Sequence, residues 1–535
     1  MTAKFFNTAG PIREDIHYFI PVAQRIDLPE ILSLIDQQKY FVLHAPRQSG
    51  KTSTLLELNR LLNASGKFKC LYVNVESAQT SRENVAEAMT VIVNTLMDLE
   101  KIHLPGDPVM GKVGADLLNR SATSALAALL RAWAHKSDLP TVLLIDEIDS
   151  LIGDTLVSVL RQLRSGYNDR PKHFPQSVIL CGVRDVRDYR IHASSEKEIV
   201  TGGSCFNIKA KSLTVGSFTA EQVRDLYLQH TAATGQIFTP EAVSLAYDFT
   251  RGQPWLVNAL AYEACFEIPE GKNRQNPITP DLIREAKENL IKARVTHLDQ
   301  LADKLKEPRV RRIIAPMLEG IQPPQILDDD IQYVTDLGLI ISDRQGIKIA
   351  NPIYQEVVPR QLTYINQTLL KSEVDDLWYI NADGSIAVEK LLTDFQKFFR
   401  EHSESWIQRF EYLEAGPQLL LQAYLQRVIN GGGRIEREYG LGRMRTDLLL
   451  VWPYLKDGTK SEQRVVFELK IQHKGRKATV TDGLRQIGQY LDRVGETHGH
   501  LLIFDRDPQV AWDDKIFREE MTTEGGRYAV SVWGM

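Results

Sequence analysis

Four short, uninterrupted apolar runs punctuate the first two hundred residues: FVLHA at 41–45, CLYVNV at 70–75, TVLLID at 141–146 and SVILCGV at 177–183. Runs of this length without polar alternation suit strands of a parallel sheet covered on both faces. The stretches between them, such as 81–100 and 121–135, repeat their apolar residues with a helical period. Strand and helix therefore alternate over 40–216, which predicts an α/β layer structure. From 219 to about 293 the pattern is almost wholly helical. Thr219 and Gln222 are spaced as a capping box, and Thr239 opens another helix. A polar, proline-bearing connector lies at 269–280. Residues 307–360 then read as helices followed by strand, turn and strand around 343–346, the pattern of a winged helix.

The pattern changes again past a junction near 371–388, where Asp383-Gly384 marks a turn. A helix carrying Glu411 and Glu414 precedes a predicted hairpin, GRIEREYGLGRMRTDLLLVW (433–452) and QRVVFELKIQ (463–472), turned at Asp457-Gly458. A helix with Gln486 and Tyr490 follows, then the apolar strand HLLIFD at 500–505. The expected divisions are an α/β domain at 1–216, a helical lid at 217–295, a winged helix at 296–370, a helical linker at 371–400 and an α/β unit at 401–535.

At 535 residues the chain is too long for one hydrophobic core. Its 43% hydrophobic and 25% charged residues are ordinary globular values. A net charge of -5 argues against coating nucleic acid by bulk electrostatics, so any such contact needs a local basic surface. Cys70, Cys181, Cys205 and Cys265 are scattered without a CxxC pair, which suits reduced core residues. Neither a signal-like N-terminus nor a bilayer-length apolar run is present, so a soluble cytoplasmic protein is expected.

Two places carry chemistry. APRQSGKT (Ala45, Pro46, Arg47, Gln48, Ser49, Gly50, Lys51, Thr52) sits between a predicted strand and helix. That is the setting of a P-loop, whose backbone N–H groups cradle phosphate. Lys51 is placed for the β and γ phosphates of ATP and the Thr52 hydroxyl for Mg²⁺, with Ala45 standing where the motif has its first glycine. TVLLIDEID supplies the second half: Asp146 for the Mg²⁺ and Glu147 to polarise an attacking water. The other place is Asp447 with Glu468-Leu469-Lys470. Adjacent antiparallel strands bring Asp447 and Glu468 together, and Glu468 and Lys470, two apart, leave one sheet face. Two carboxylates and the Leu469 carbonyl can hold a hard cation, Mg²⁺ or Mn²⁺, beside a scissile phosphate, while Lys470 orients water and offsets developing charge.

Over about 15–360 the chain resembles the AAA-like and STAND-related bacterial ATPases. That resemblance implies that Arg25, in PVAQRIDLPEIL with Glu30, belongs to the arginine-bearing helix before the P-loop strand. Arg184 or Asp185, in VILCGVRDVRDY, then falls at a γ-phosphate sensor, and Gly252 and Pro254, in TRGQPWLVNALA, fall in the Gly-x-Pro motif of the lid. Arg184, Arg187 and Arg251 form the pool for an arginine finger, none of them singled out, and both a homo-oligomer and a single copy stay open. Over about 400–535 the chain resembles the PD-(D/E)xK nuclease core, with Thr446-Asp447 in place of Pro-Asp. This implies a restriction-endonuclease-like fold, Glu414 completing the metal cluster with Glu411 as runner-up, and Gln486-x-x-x-Tyr490 as a DNA-contacting QxxxY motif. Arg427, Arg434, Arg437, Arg443, Arg445, Lys474, Arg476 and Lys477 cluster nearby in sequence and suit phosphate contact. The expected function is an ATP-regulated nuclease acting on nucleic acid, DNA before RNA, and by analogy a bacterial defence effector. The alternatives are a DNA-processing motor with an end-trimming nuclease and a non-catalytic regulator binding through the basic helix of the winged unit (Arg309, Arg311, Arg312).

Overall fold

A computed structural model describes residues 4–104, 106, 108–184, 190–192, 199–201, 207–292, 304, 307–318, 328–343, 346–357, 379–409, 421, 424–425, 434–438, 447–456, 459–472, 475–505, 507 and 509–535. The chain forms two compact units. The first comprises 1–295, 331–341 and 350–352, and the second 296–330, 342–349 and 353–535.

The first unit is built on a five-stranded parallel sheet: β1 (Tyr40–His44), β2 (Lys69–Asn74), β3 (Thr141–Asp146), β4 (Ser177–Gly182) and β5 (Lys209–Thr214), in the order β2-β3-β4-β1-β5. The four apolar runs form its interior. Tyr40 and Val42 enter a core shared with helices α3 (Val85–His103), α4 (Val109–Ser121), α5 (Ala125–Lys136) and α6 (Gly153–Ser165). Phe41 and Leu43 enter the opposite core, with α1 (Leu28–Asp36) and α2 (Lys51–Ala64). Burial on both faces explains why these strands show no alternation. The fifth strand, KAKSLT, is an edge strand with its residues half-buried or exposed.

A helical layer follows: α7 (Ala220–Thr234), α8 (Pro240–Thr250), α9 (Pro254–Tyr262) and α10 (Pro280–Lys292). The Thr219–Gln222 capping box forms at α7, and the Thr239 hydroxyl caps α8 by accepting from the Ala242 N–H. Next come α11 (Pro308–Leu318), α12 (Asp328–Asp336) and the two-stranded sheet of β6 (Ile340–Asp343) and β7 (Gly346–Ile349). Cys70, Cys181 and Cys265 are buried free thiols, whereas Cys205 lies outside the described residues. No helix among the described residues is long and apolar enough to cross a membrane.

In the second unit, helix α13 (Val388–Arg409) runs straight through position 400. A six-stranded mixed sheet follows: β8 (Arg434–Glu438), β9 (Asp447–Lys456), β10 (Thr459–Ile471), β11 (His498–Phe504), β12 (Arg518–Thr522) and β13 (Ala529–Gly534). Their order is β8-β9-β10-β11-β13-β12, with β8, β9 and β10 antiparallel and β10, β11 and β13 parallel. Helix α14 (Arg476–Val494) covers one face, sharing a core with Leu449, Val466 and Leu501. The other face buries Leu448, Phe467 and Leu502 against Leu391, Phe395 and Phe399 of α13.

Candidate functional site

In the first unit β1 ends at His44, the loop 45–50 turns back, and α2 begins at Lys51. Gln48 and Gly50 both take positive φ, +57° and +90°. A Cβ on Gly50 would also stand 2.5 Å from an Arg25 nitrogen, so glycine is required there twice over. Ala45 is buried at the strand end, its N–H donating to the Gly182 carbonyl, where a methyl group fits without strain. The Ser49 hydroxyl donates to the Pro46 carbonyl at 2.7 Å, and Arg47 points to solvent. Lys51 Nζ folds onto the loop and donates to the carbonyls of Ala45 and Pro46, each at 3.0 Å. The loop thus holds a buried cation at its centre, with backbone around it.

Parallel pairing sets β3 next to β2 with Asn74 opposite Asp146. Asp146 is fully buried. It accepts from the Thr52 hydroxyl at 2.7 Å, the Tyr72 hydroxyl at 3.0 Å and the Glu147 N–H at 3.0 Å. Hydroxyl and carboxylate oxygens converging at the first turn of α2 suit Mg²⁺, a hard cation that takes oxygen ligands. Glu147 takes the left-handed conformation, φ +53°. Burial first, and the neighbouring Asp149 charge second, raise its carboxyl above the ordinary glutamate range.

Arg25 joins this loop to the helical layer. One guanidinium nitrogen donates to both the Ser49 carbonyl at 2.7 Å and the Gly216 carbonyl at 2.8 Å, and the guanidinium lies 4.8 Å above the Phe218 ring. Burial pulls its pKa down to about 10. Phe218 in turn donates its N–H to the Gly252 carbonyl at 2.7 Å. Gly252 has φ +75°, and a Cβ there would land on the Phe218 carbonyl oxygen. Pro254 is the buried first residue of α9, whose N-cap is the Gln253 side chain. The Gly-x-Pro motif is therefore tied to the P-loop through Phe218 and Arg25.

Arg184 follows β4 and is gripped by residues some 150 positions later. Its Nε donates to Asp336 Oδ2 at 3.3 Å with the two side chains only 12% and 4% exposed. Tyr333 lies beneath the guanidinium at 4.9 Å, and Gln332 donates to the other Asp336 oxygen at 2.8 Å. Gly338, at φ +75°, comes so close to the P-loop that a Cβ would meet Pro46 at 2.7 Å. Arg251 pairs locally with Asp248, while Asp185 and Arg187 lie outside the described residues. Asp336, Tyr72 and Phe218 carried no motif signal in the sequence.

A family described as an AAA domain matches residues 35–189. That segment is an AAA-type P-loop ATPase domain. Solved structures similar to the chain include the Walker-type ATPase paby2304 of Pyrococcus abyssi, at 12% identity, 66% of this chain, 99% of that one and a TM-score of 0.44. Cdc6p from Pyrobaculum aerophilum follows at 16% identity, 65% and 96% coverage and a TM-score of 0.35. A RuvB variant of Thermotoga maritima stands at 12% identity, 67% and 99% coverage and a TM-score of 0.32. No curated protein matches the chain. The matched segment contains Lys51, Thr52, Asp146 and Glu147.

The second unit assembles part of the other constellation. Asp447 is the direct Cα partner of Glu468 across β9 and β10. Glu468, 1% exposed, pairs with Lys470 Nζ at 2.9 Å. Lys470 also donates to Gln486 Oε1, and the Gln486 amide donates to Asp482 at 2.9 Å. Gln486 therefore faces the Glu468–Lys470 pair, with Asp482 behind it as a member the sequence did not mark. Leu469 points to the opposite face, into the α13 core. Tyr490 is buried in the α14 core with Leu449, Val466 and Ile487. The side chain of Asp447, and Glu411 and Glu414 entirely, lie outside the described residues. Among the described residues no three metal-ligating side chains converge. One buried carboxylate beside a lysine, with a second carboxylate position in register, is a donor set that fits a hard divalent cation.

Proposed function

We propose that the AAA domain hydrolyses ATP and that its nucleotide state controls a metal-dependent phosphodiesterase in the second unit, acting on DNA in preference to RNA. The observation that carries the second half is the Lys470 network: one lysine joined to the buried Glu468, opposite Asp447 in register, and to Gln486 on α14.

In the AAA domain Lys51 leaves the two carbonyls it holds to take the β and γ phosphates, and Thr52 with Asp146 holds Mg²⁺. Held by Thr52 and Asp146, Mg²⁺ would supply charge screening at the phosphates. Glu147 polarises the attacking water, Arg184 reads the γ-phosphate, and a neighbouring copy in a homo-oligomer supplies an arginine finger. In the second unit Asp447, Glu468 and the Leu469 carbonyl, with Glu414 as a further ligand, would hold Mg²⁺ or Mn²⁺, which would supply Lewis acidity at the phosphate. Lys470 orients the water, and Gln486 fixes Lys470.

The test is cleavage of plasmid, linear duplex, single-stranded DNA and RNA by the full-length protein in Mg²⁺ or Mn²⁺, with and without ATP. The expected result is cutting that disappears in Lys470→Ala and loses its ATP response in Lys51→Ala. Cutting untouched by Lys470→Ala would remove the phosphodiesterase from this site. Cutting with an ATP response unaltered by Lys51→Ala would remove the coupling.

A further inference from the structure

Next to the Lys470 network, the first turns of α14 line an open groove of about 740 Å³. The lining residues Arg476, Lys477, Thr481, Asp482 and Arg485 all come from this helix, three cations against one carboxylate, with Glu519 a second carboxylate paired to Arg476, in a chain whose net charge is -5. Lys477 and Arg485 reach solvent from positions eight apart, so they stand about two turns apart and within about 80° of each other around the helix. Arg485 is oriented by Asp482 at 2.7 Å, and Arg476 lies flat on the Phe517 ring while pairing with Glu519. The arginines are thus held in place before any ligand arrives. Asp482 is shared, because it also receives the Gln486 amide that holds Lys470. Arg485 first, and the Lys470 charge as a lesser cause, keep the Asp482 carboxyl below the ordinary range, so it is anionic at neutral pH.

We propose that this groove binds the phosphodiester backbone of a nucleic-acid strand and delivers it to the Glu468–Lys470 centre. The inference rests on the phosphodiesterase reading above and gives that centre a strand-binding surface. Charge complementarity selects the ligand. Paired but exposed cations exchange a carboxylate for phosphate at little cost, and a surface open to solvent leaves room for a polymer to lie across it. The link through Asp482 and Gln486 places the groove two hydrogen bonds from Lys470. Arg476 and Lys477 were marked by the sequence as part of a basic cluster. Arg485 was not, and the helix places it beside them.

Binding without cleavage isolates the groove. Fluorescence anisotropy of a labelled 20-nucleotide DNA strand and of the matching duplex, with the full-length protein in Ca²⁺, gives the affinity and its salt dependence. Lys477→Glu and Arg485→Gln should each weaken binding by about fivefold or more at low salt and lower the salt slope by roughly one. Arg527→Glu is the control matched in charge change to Lys477→Glu. Arg527 pairs with Asp492, about 22 Å along the helix from Lys477 and about 10 Å from Arg485, and its variant should bind within twofold of the wild type. Groove variants that bind like the wild type, or no binding of either oligonucleotide by the wild type, would overturn the proposal. Competition by an acidic peptide but not by DNA would overturn it in favour of a protein ligand. Parallel cleavage in Mn²⁺ separates the two readings. Groove-dependent binding without cutting leaves the groove standing and removes the phosphodiesterase, whereas cutting indifferent to the groove variants does the reverse.

Discussion

Asp336→Asn tests whether the grip on Arg184 opposes ATP. The substitution keeps the shape of the side chain and the oxygen that receives Gln332, but removes the charge facing Arg184. Breaking a buried ion pair costs roughly 3–5 kcal/mol when the partner is left uncompensated. Two observations lower that figure. The Nε–Oδ2 distance of 3.3 Å exceeds the roughly 2.7–2.9 Å of a strong charge-assisted bond, and Tyr333 stays beneath the guanidinium. About 2 kcal/mol remains. If Arg184 must leave Asp336 to reach a γ-phosphate, the same energy opposes ATP and not ADP, and its removal tightens ATP by up to about 30-fold. Titration of the variant with a non-hydrolysable ATP analogue and with ADP, alongside urea unfolding, reads both quantities. The reasoning predicts lower stability of the nucleotide-free protein together with a raised preference for the triphosphate. Lost stability with an unchanged ATP-to-ADP preference would refute it and leave the pair a purely structural tie.

Other outcomes follow from the same geometry. Glu147→Gln should keep ATP binding within a few-fold and lose hydrolysis by about 100-fold or more, measured by phosphate release. Because burial and Asp149 raise the Glu147 carboxyl, its base form is gained only above the ordinary value of 4.5. The acid limb of the turnover profile should therefore lie above that pH and move down in Asp149→Asn; a limb that stays put contradicts the assignment. Gly252→Ala forces a side chain into a left-handed backbone and onto the Phe218 carbonyl. Roughly 1–2 kcal/mol of backbone strain and a similar steric cost give about 3 kcal/mol of destabilisation, read by urea unfolding, and a loss below 1 kcal/mol would contradict the contact.

How far the sequence foretold this follows from where each residue is buried. The four central strands of the AAA domain were legible because both of their faces are covered, so their apolar runs are continuous. The edge strand β5 was not, since KAKSLT has half-buried and exposed residues and carries no hydrophobic signature. In the second unit the pairing of Asp447 with Glu468 could be read from a hairpin, but the last two strands, β12 and β13, were missed. The QxxxY resemblance implies a DNA contact for Gln486, and the described structure gives it internal partners, Lys470 and Asp482. One helical turn places Asp482 beneath Gln486, yet only the fold brings Lys470 across from β10. Asp336 lies 152 residues from Arg184, and no local pattern encodes such a pairing.

The return of residues 331–341 and 350–352 to the first unit bears on how such a chain is put together in evolution. The polypeptide passes between the two units five times before Ile353 and never afterwards. A recombination seam at 295 would strip the nucleotide site of Tyr333 and Asp336 and bare the buried side of Arg184. A seam just after Pro352 would leave the nucleotide-binding unit whole, whatever is joined behind it. Relatives that exchange the C-terminal module should therefore keep everything through that proline together, as one inherited cassette.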